Sequence, residues 1–172
     1  MNRVKNFIDK SSLMKLYYSM FHSNIAYGIN IYGCANTTNL QRLRVKQKEA
    51  IRTISNAGYR DHTSPLFKQS KVLPLDDMIK YSKLRFMHSY THHKLPLSFE
   101  QTWLSNREHN QIRVLRNADN LRIPPHHFAS IKRLPLFSFP QIWNADNDSK
   151  FIPSLKIYSK QLKTALLANI AV

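Results

Sequence analysis

His88 and His92 stand one helical turn apart with His93 beside them, and imidazoles at i,i+4 on a helix can grip zinc. No Glu follows His88 directly and no third ligand is marked nearby, so the HEXXH pattern of zinc hydrolases is absent. These histidines read instead as members of a polar helix face that titrate or stack on bases. His126 and His127 form an equally isolated pair. Cys34 is the single cysteine. It excludes an intramolecular disulfide and a cysteine-based zinc knuckle, carries no familiar nucleophile signature, and reads as a buried thiol. A reducing intracellular compartment, cytoplasm or nucleus, is the expectation. Asp76 and Asp77 are adjacent, and neighbours on a helix point about 100° apart, so they cannot converge on a metal pair. With no glycine-rich phosphate loop either, no complete catalytic site, no metal and no cofactor is expected in this chain.

What the residue types do supply is positive charge. The 26 Lys and Arg oppose 10 Asp and Glu over 172 residues, a net charge of +16. Such a field attracts polyanions, and nucleic acid is the expected partner. Arg42, Lys46, Lys48, Arg52, Arg60 and Lys68 are the candidate phosphate contacts, with Tyr59 and His62 beside them for sugar or base contact. Arg113, Arg116, Arg122, Lys132 and Arg133 extend the basic, aromatic-interleaved texture. An acidic protein meeting the same basic face is the alternative partner. With 9 Phe, 8 Tyr and 2 Trp against 3 Gly, the chain should fold. No run approaches the ~20 apolar residues of a membrane span, and the start has no secretory signal, so no membrane partner is expected.

The elements that position these residues are helices. Ser11 and Ser12 are cap candidates for a helix over about 12–32, with Leu13, Leu16, Tyr17, Met20, Asn24 and Tyr27 at helical spacing. Gly28 lies within that pattern and reads as a point of close backbone approach. Thr37, Thr38 and Asn39 are cap candidates for a second helix, whose apolar face carries Leu40, Leu43, Gln47, Ala50, Ile51, Ile54 and Ala57. Asn56 to Gly58 stop it, and Ser64-Pro65 starts a short helix. Leu73-Pro74 opens a third long helix, Asp76 and Asp77 in its first turn, with Leu75, Met78, Ile79, Ser82, Phe86 and Tyr90 inward and Lys80, Lys83 and Arg85 off that stripe.

A break at Leu95-Pro96 and a short helix follow. From Ser105 to Phe151 prolines recur and helical period is lost. Leu121 to Ile123 and Leu136 to Phe139 read as short strands or extended packing segments. Ser154 caps a last helix, with Leu155, Tyr158, Leu162, Ala165 and Leu166 inward. The fold expected is mainly α. A helical domain spans 1–104, and an extension, Pro-rich and irregular with a terminal helix, spans 105–172.

Several strings together resemble one family. Leu16-Tyr17-Tyr18-Ser19 with Tyr27-Gly28-Ile29, the run Gln47 to Asn56, His62-Thr63-Ser64-Pro65-Leu66-Phe67 and Leu73-Pro74-Leu75 are similar to the region after the catalytic palm in reverse transcriptases of non-LTR retrotransposons, of the jockey and LINE type. Arg116-Asn117-Ala118 and Gln141-Ile142-Trp143-Asn144 resemble the same proteins' C-terminal segment. Tyr32 stands where that family usually has Trp, and Phe139-Pro140 where it has Gly-Pro. The resemblance implies a thumb that cradles the template and primer duplex, followed by a nucleic-acid-binding extension. It places the palm, with its metal-binding aspartates, and the endonuclease upstream of this sequence. The expected function is therefore a non-catalytic part of an RNA-directed DNA polymerase. A free-standing basic helical interaction module derived from such an element is the alternative.

Overall fold

The structure is a computed structural model that describes residues 5–109, 117–146 and 152–170. Arg113 and Arg116 lie outside the described residues. The chain is mainly α, as the periodicity predicts, and no strand forms among the described residues. Two compact units account for it, one running to Ile79 and including the segment from Lys163, the other Lys80–Leu162.

In the first unit, α1 (Lys10–Leu16) is capped by Asp9 rather than by the serines. The Asp9 carboxylate accepts the amide N–H of Ser11 at 3.0 Å and of Ser12 at 3.2 Å, so Ser11 and Ser12 lie inside the helix. A π-helical turn over Tyr17–His22 follows, then α2 (Ser23–Tyr32). That wide turn overturns the expected stripe. Leu13, Tyr17, Ile25 and Ile29 are buried, whereas Met20 and Tyr27 are 67% and 96% exposed. A π turn accommodates one extra residue, so every position after it is displaced around the axis relative to an unbroken 3.6 period. Gly28 is a kink, φ −122° and ψ 20°, and a Cβ there would meet the Tyr32 ring at 3.3 Å. The close neighbour is thus a side chain of the same helix, not another backbone.

Helix α3 (Thr37–Ile54) starts after Asn36, one residue ahead of the expected caps, and buries Leu40, Gln47, Ile51, Thr53 and Ile54. Asn56 provides the left-handed stop with φ 49°, and no glycine takes positive φ. Helix α4 (Ser64–Ser70) has Pro65 in its first turn, as predicted, and ends on Lys71 at φ 53°. Around these helices Leu13, Tyr17, Ile51, Ile54, Phe67, Val72 and Ile170 form one buried cluster. Each fully buried side chain of this size contributes roughly 1.5–3 kcal/mol.

Helix α5 (Leu75–Thr91) carries Asp76 and Asp77 in its first turn, as expected from the macrodipole. In the second unit, α6 (Asn106–His109), α7 (Pro135–Ala145) and α8 (Leu155–Ala168), which continues beyond it, complete the helices. Leu136 to Phe139 is helical, not extended, because Pro135 opens α7 at a position where its missing N–H is harmless. Pro140 inside α7 deprives the Leu136 carbonyl of its helical donor, and Trp103 Nε1–H donates to that oxygen at 3.0 Å instead. Leu121 to Ile123 makes a single bridge to Ser105 and no strand. Asn144 holds the Leu121 backbone from both sides, its Oδ1 accepting the N–H at 2.9 Å and its Nδ2 donating to the carbonyl at 2.8 Å.

Two residues of α5 expected on polar surface are buried. Lys83, 5% exposed, donates from Nζ to Ser138 Oγ at 3.1 Å and lies 5.5 Å from the Phe139 ring centroid. His88 is fully buried, stacked between His92 at 4.1 Å and Tyr158 at 4.4 Å, with Nε2 bonded to the Ile152 carbonyl at 2.6 Å. In α8 Tyr158, Leu162 and Leu166 face inward as predicted, but Ala165 is exposed.

Candidate nucleic-acid interface

The candidate surface is built on α3 and the turn into α4. Gln47 fixes α3 from beneath: its Nε2 donates to the Leu73 carbonyl at 2.9 Å and to the Tyr17 hydroxyl at 3.0 Å. Satisfying a buried amide this way ties the helix to specific partners rather than to a generic apolar surface. A helix so anchored holds its outward side chains in a defined arrangement.

The cations of that helix divide by what they touch. Arg44 is engaged bidentately by Asp76, Nη2 to Oδ1 at 2.7 Å and Nε to Oδ2 at 2.9 Å, and its Nη1 donates to Gln41 Oε1 at 3.3 Å. The Asp76 carboxylate raises the Arg44 pKa still further, so this charge is permanent and neutralised locally. Lys46 pairs with Glu49 at 2.9 Å, the only acid of α3. Arg42 and Lys48 are exposed and have no acid partner among the described residues. A shallow groove of about 740 Å³ runs along the first half of the helix, lined by Thr37, Thr38, Gln41, Arg42, Val45 and Lys46.

Arg52 turns inward along the chain. Its Nε and Nη2 donate to the Asp61 carbonyl at 3.1 and 3.0 Å, and the Asp61 carboxylate accepts the Gly58 N–H at 2.6 Å. One guanidinium thereby braces the whole turn, which presents Tyr59, 82% exposed, with Arg60 and His62 also exposed. Lys68 is exposed on α4. Arg60 and Lys68, like Arg42 and Lys48, have no acid partner among the described residues.

Helical spacing puts Gln47 on the inward face of α3 but does not reveal the partners of its amide. A polar residue amid an apolar stripe was the available signal. The Arg44–Asp76 pair spans 32 residues and left no local mark.

Metal chemistry gains no support from the histidines. His88 and His92 stack on each other, and among the described residues no group of three His, Cys, Asp or Glu is placed to hold an ion. Cys34 is half-buried, its Sγ donating to the Asn30 carbonyl at 3.5 Å. Among the described residues no helix is long and apolar enough to cross a membrane. No protein-family model matches the chain, nor does any curated protein or solved structure.

Proposed function

We propose that this chain binds RNA or an RNA–DNA hybrid through its phosphate backbone, on the surface formed by α3, the 55–63 turn and α4. The carrying observation is the set of four exposed cations without acid partners among the described residues, Arg42, Lys48, Arg60 and Lys68, displayed on α3, the turn and α4, with α3 and the turn held in place by buried and bridging hydrogen bonds. Ammonium and guanidinium groups so placed neutralise phosphates without reading sequence. Tyr59 adds an exposed ring that can stack on a base or sugar. The resemblance to the post-palm region of non-LTR reverse transcriptases supports the same reading. On it, the chain acts in polymerisation by holding template and primer, and the chemistry belongs to a palm domain that the chain serves.

The test is the salt dependence of hybrid-duplex binding. Affinity should fall by about 0.7–0.9 log units per log unit of salt for each phosphate neutralised. Replacing Arg42, Lys48, Arg60 and Lys68 by Gln should reduce that slope by about three. A flat affinity in the parent chain, or an unchanged slope in the variant, sinks the proposal. An acidic protein on this face would be displaced by heparin too, but only nucleic acid should show a duplex-length threshold.

A further inference from the structure

The π turn leaves a second surface on the first unit, opposite in character to the basic one. Residues 16–41 contain no Asp, Glu, Lys or Arg, in a chain of net charge +16. Met20, Tyr27 and Ile31 recur along the outer side of the π turn and α2 and are 67%, 96% and 79% exposed. Three polar residues beside them, Ser19, Ser23 and Asn24, are turned back onto their own helix backbone. Ser19 Oγ donates to the Leu16 carbonyl at 3.2 Å, Ser23 Oγ donates to the Ser19 carbonyl, and Asn24 Nδ2 donates to the Met20 carbonyl at 2.6 Å. Covering this face therefore removes apolar area from water while stranding few polar groups.

We propose that this face of α2 is a self-association surface, on which a second copy of the chain docks by the same residues. A polyanion or an anionic lipid surface requires cations, and the stretch has none. For two copies carrying +16 each, repulsion is least where the stretch without Lys or Arg meets itself, and a two-fold arrangement does this by placing each stripe on its own counterpart. Tyr27 lies between Met20 and Ile31, the kind of large amphipathic ring that concentrates binding energy at an interface centre. Three large side chains form a small patch, so the dimer is concentration-dependent and reversible.

Salt separates this association from polyanion binding, because screening removes repulsion between the copies and leaves apolar contact intact. Sedimentation velocity of the full chain without nucleic acid should show the dimer fraction rising between about 0.05 M and about 0.5 M salt. Tyr27→Asp and Ile31→Asp should each weaken the dimer at least about tenfold, although both lower the net positive charge and so lower the repulsion. Val45→Asp, on α3, should leave dimerisation in place. If an Asp variant fails to fold, Tyr27→Ser and Ile31→Ser read out the same surface. A chain that stays monomeric at every salt concentration overturns the proposal and leaves the face to a different protein. A dimer that survives the α2 substitutions overturns it as well.

Discussion

The Gln47 side-chain amide donates to the Tyr17 hydroxyl at 3.0 Å, joining the centre of α3 to the first residue of the π turn across 30 residues of sequence. Both side chains are almost fully buried, and burial pushes the Tyr17 hydroxyl up to about 12, so it stays protonated. Replacing Gln47 by Ala leaves the Leu73 carbonyl and the Tyr17 oxygen without this donor and opens a cavity. The expected loss of stability is about 2–4 kcal/mol, whereas Tyr17→Phe should cost about 1 kcal/mol. Urea unfolding of the two variants measures both, and a Gln47→Ala chain as stable as the parent contradicts the anchor.

Arg52 separates a brace from a simple charge. Arg52→Lys keeps the cation but cannot hold the Asp61 carbonyl through two N–H groups. It should lower stability by about 0.5–1.5 kcal/mol and speed proteolytic cutting within 56–63. Unchanged stability and unchanged cutting would show that the brace contributes nothing in solution.

Trp103 and Pro140 should be energetically coupled through one oxygen. Trp103→Phe removes the donor to the Leu136 carbonyl, with an expected cost of about 1–3 kcal/mol. Pro140→Ala restores a helical N–H for that carbonyl, so the same Trp103 change should cost about 1 kcal/mol less in that background. A double-mutant cycle with no coupling refutes the compensation.

His88 should titrate as a buried imidazole. Desolvation lowers its pKa, against a smaller opposing effect of the Ile152 carbonyl, and His92 and Lys94 lower it further. The unfolded chain takes up its proton first, near pH 6.5, so the stability tied to neutral His88 is complete above that pH and declines as pH falls toward the folded pKa. His22, lowered by burial and then by Lys163, contributes in the same direction. NMR titration should find the His88 midpoint below about 6.5. A midpoint at or above that value rules out a neutral, desolvated ring.

Sequence alone settled the features governed by local chemistry. Helical class, the start of α4 at Ser64-Pro65, the acidic first turn of α5 and the excess of cations on α3 all depend on residues within a turn of each other, where backbone sterics and the helix dipole act. Tertiary structure decided which side chains are spent on the fold. Arg44 and Arg52 look like Arg42 and Lys48 in sequence, yet Asp76 and the Asp61 carbonyl, brought near by folding, engage them, whereas the Lys46–Glu49 pair one helical turn apart is a local one. The same holds for Lys83 and His88, buried because Ser138, Tyr158 and the Ile152 carbonyl close over them. The π turn lies between these cases. One extra residue in one turn is invisible to a 3.6 period, but it carries Met20 and Tyr27 out of the core and Ile25 and Ile29 into it.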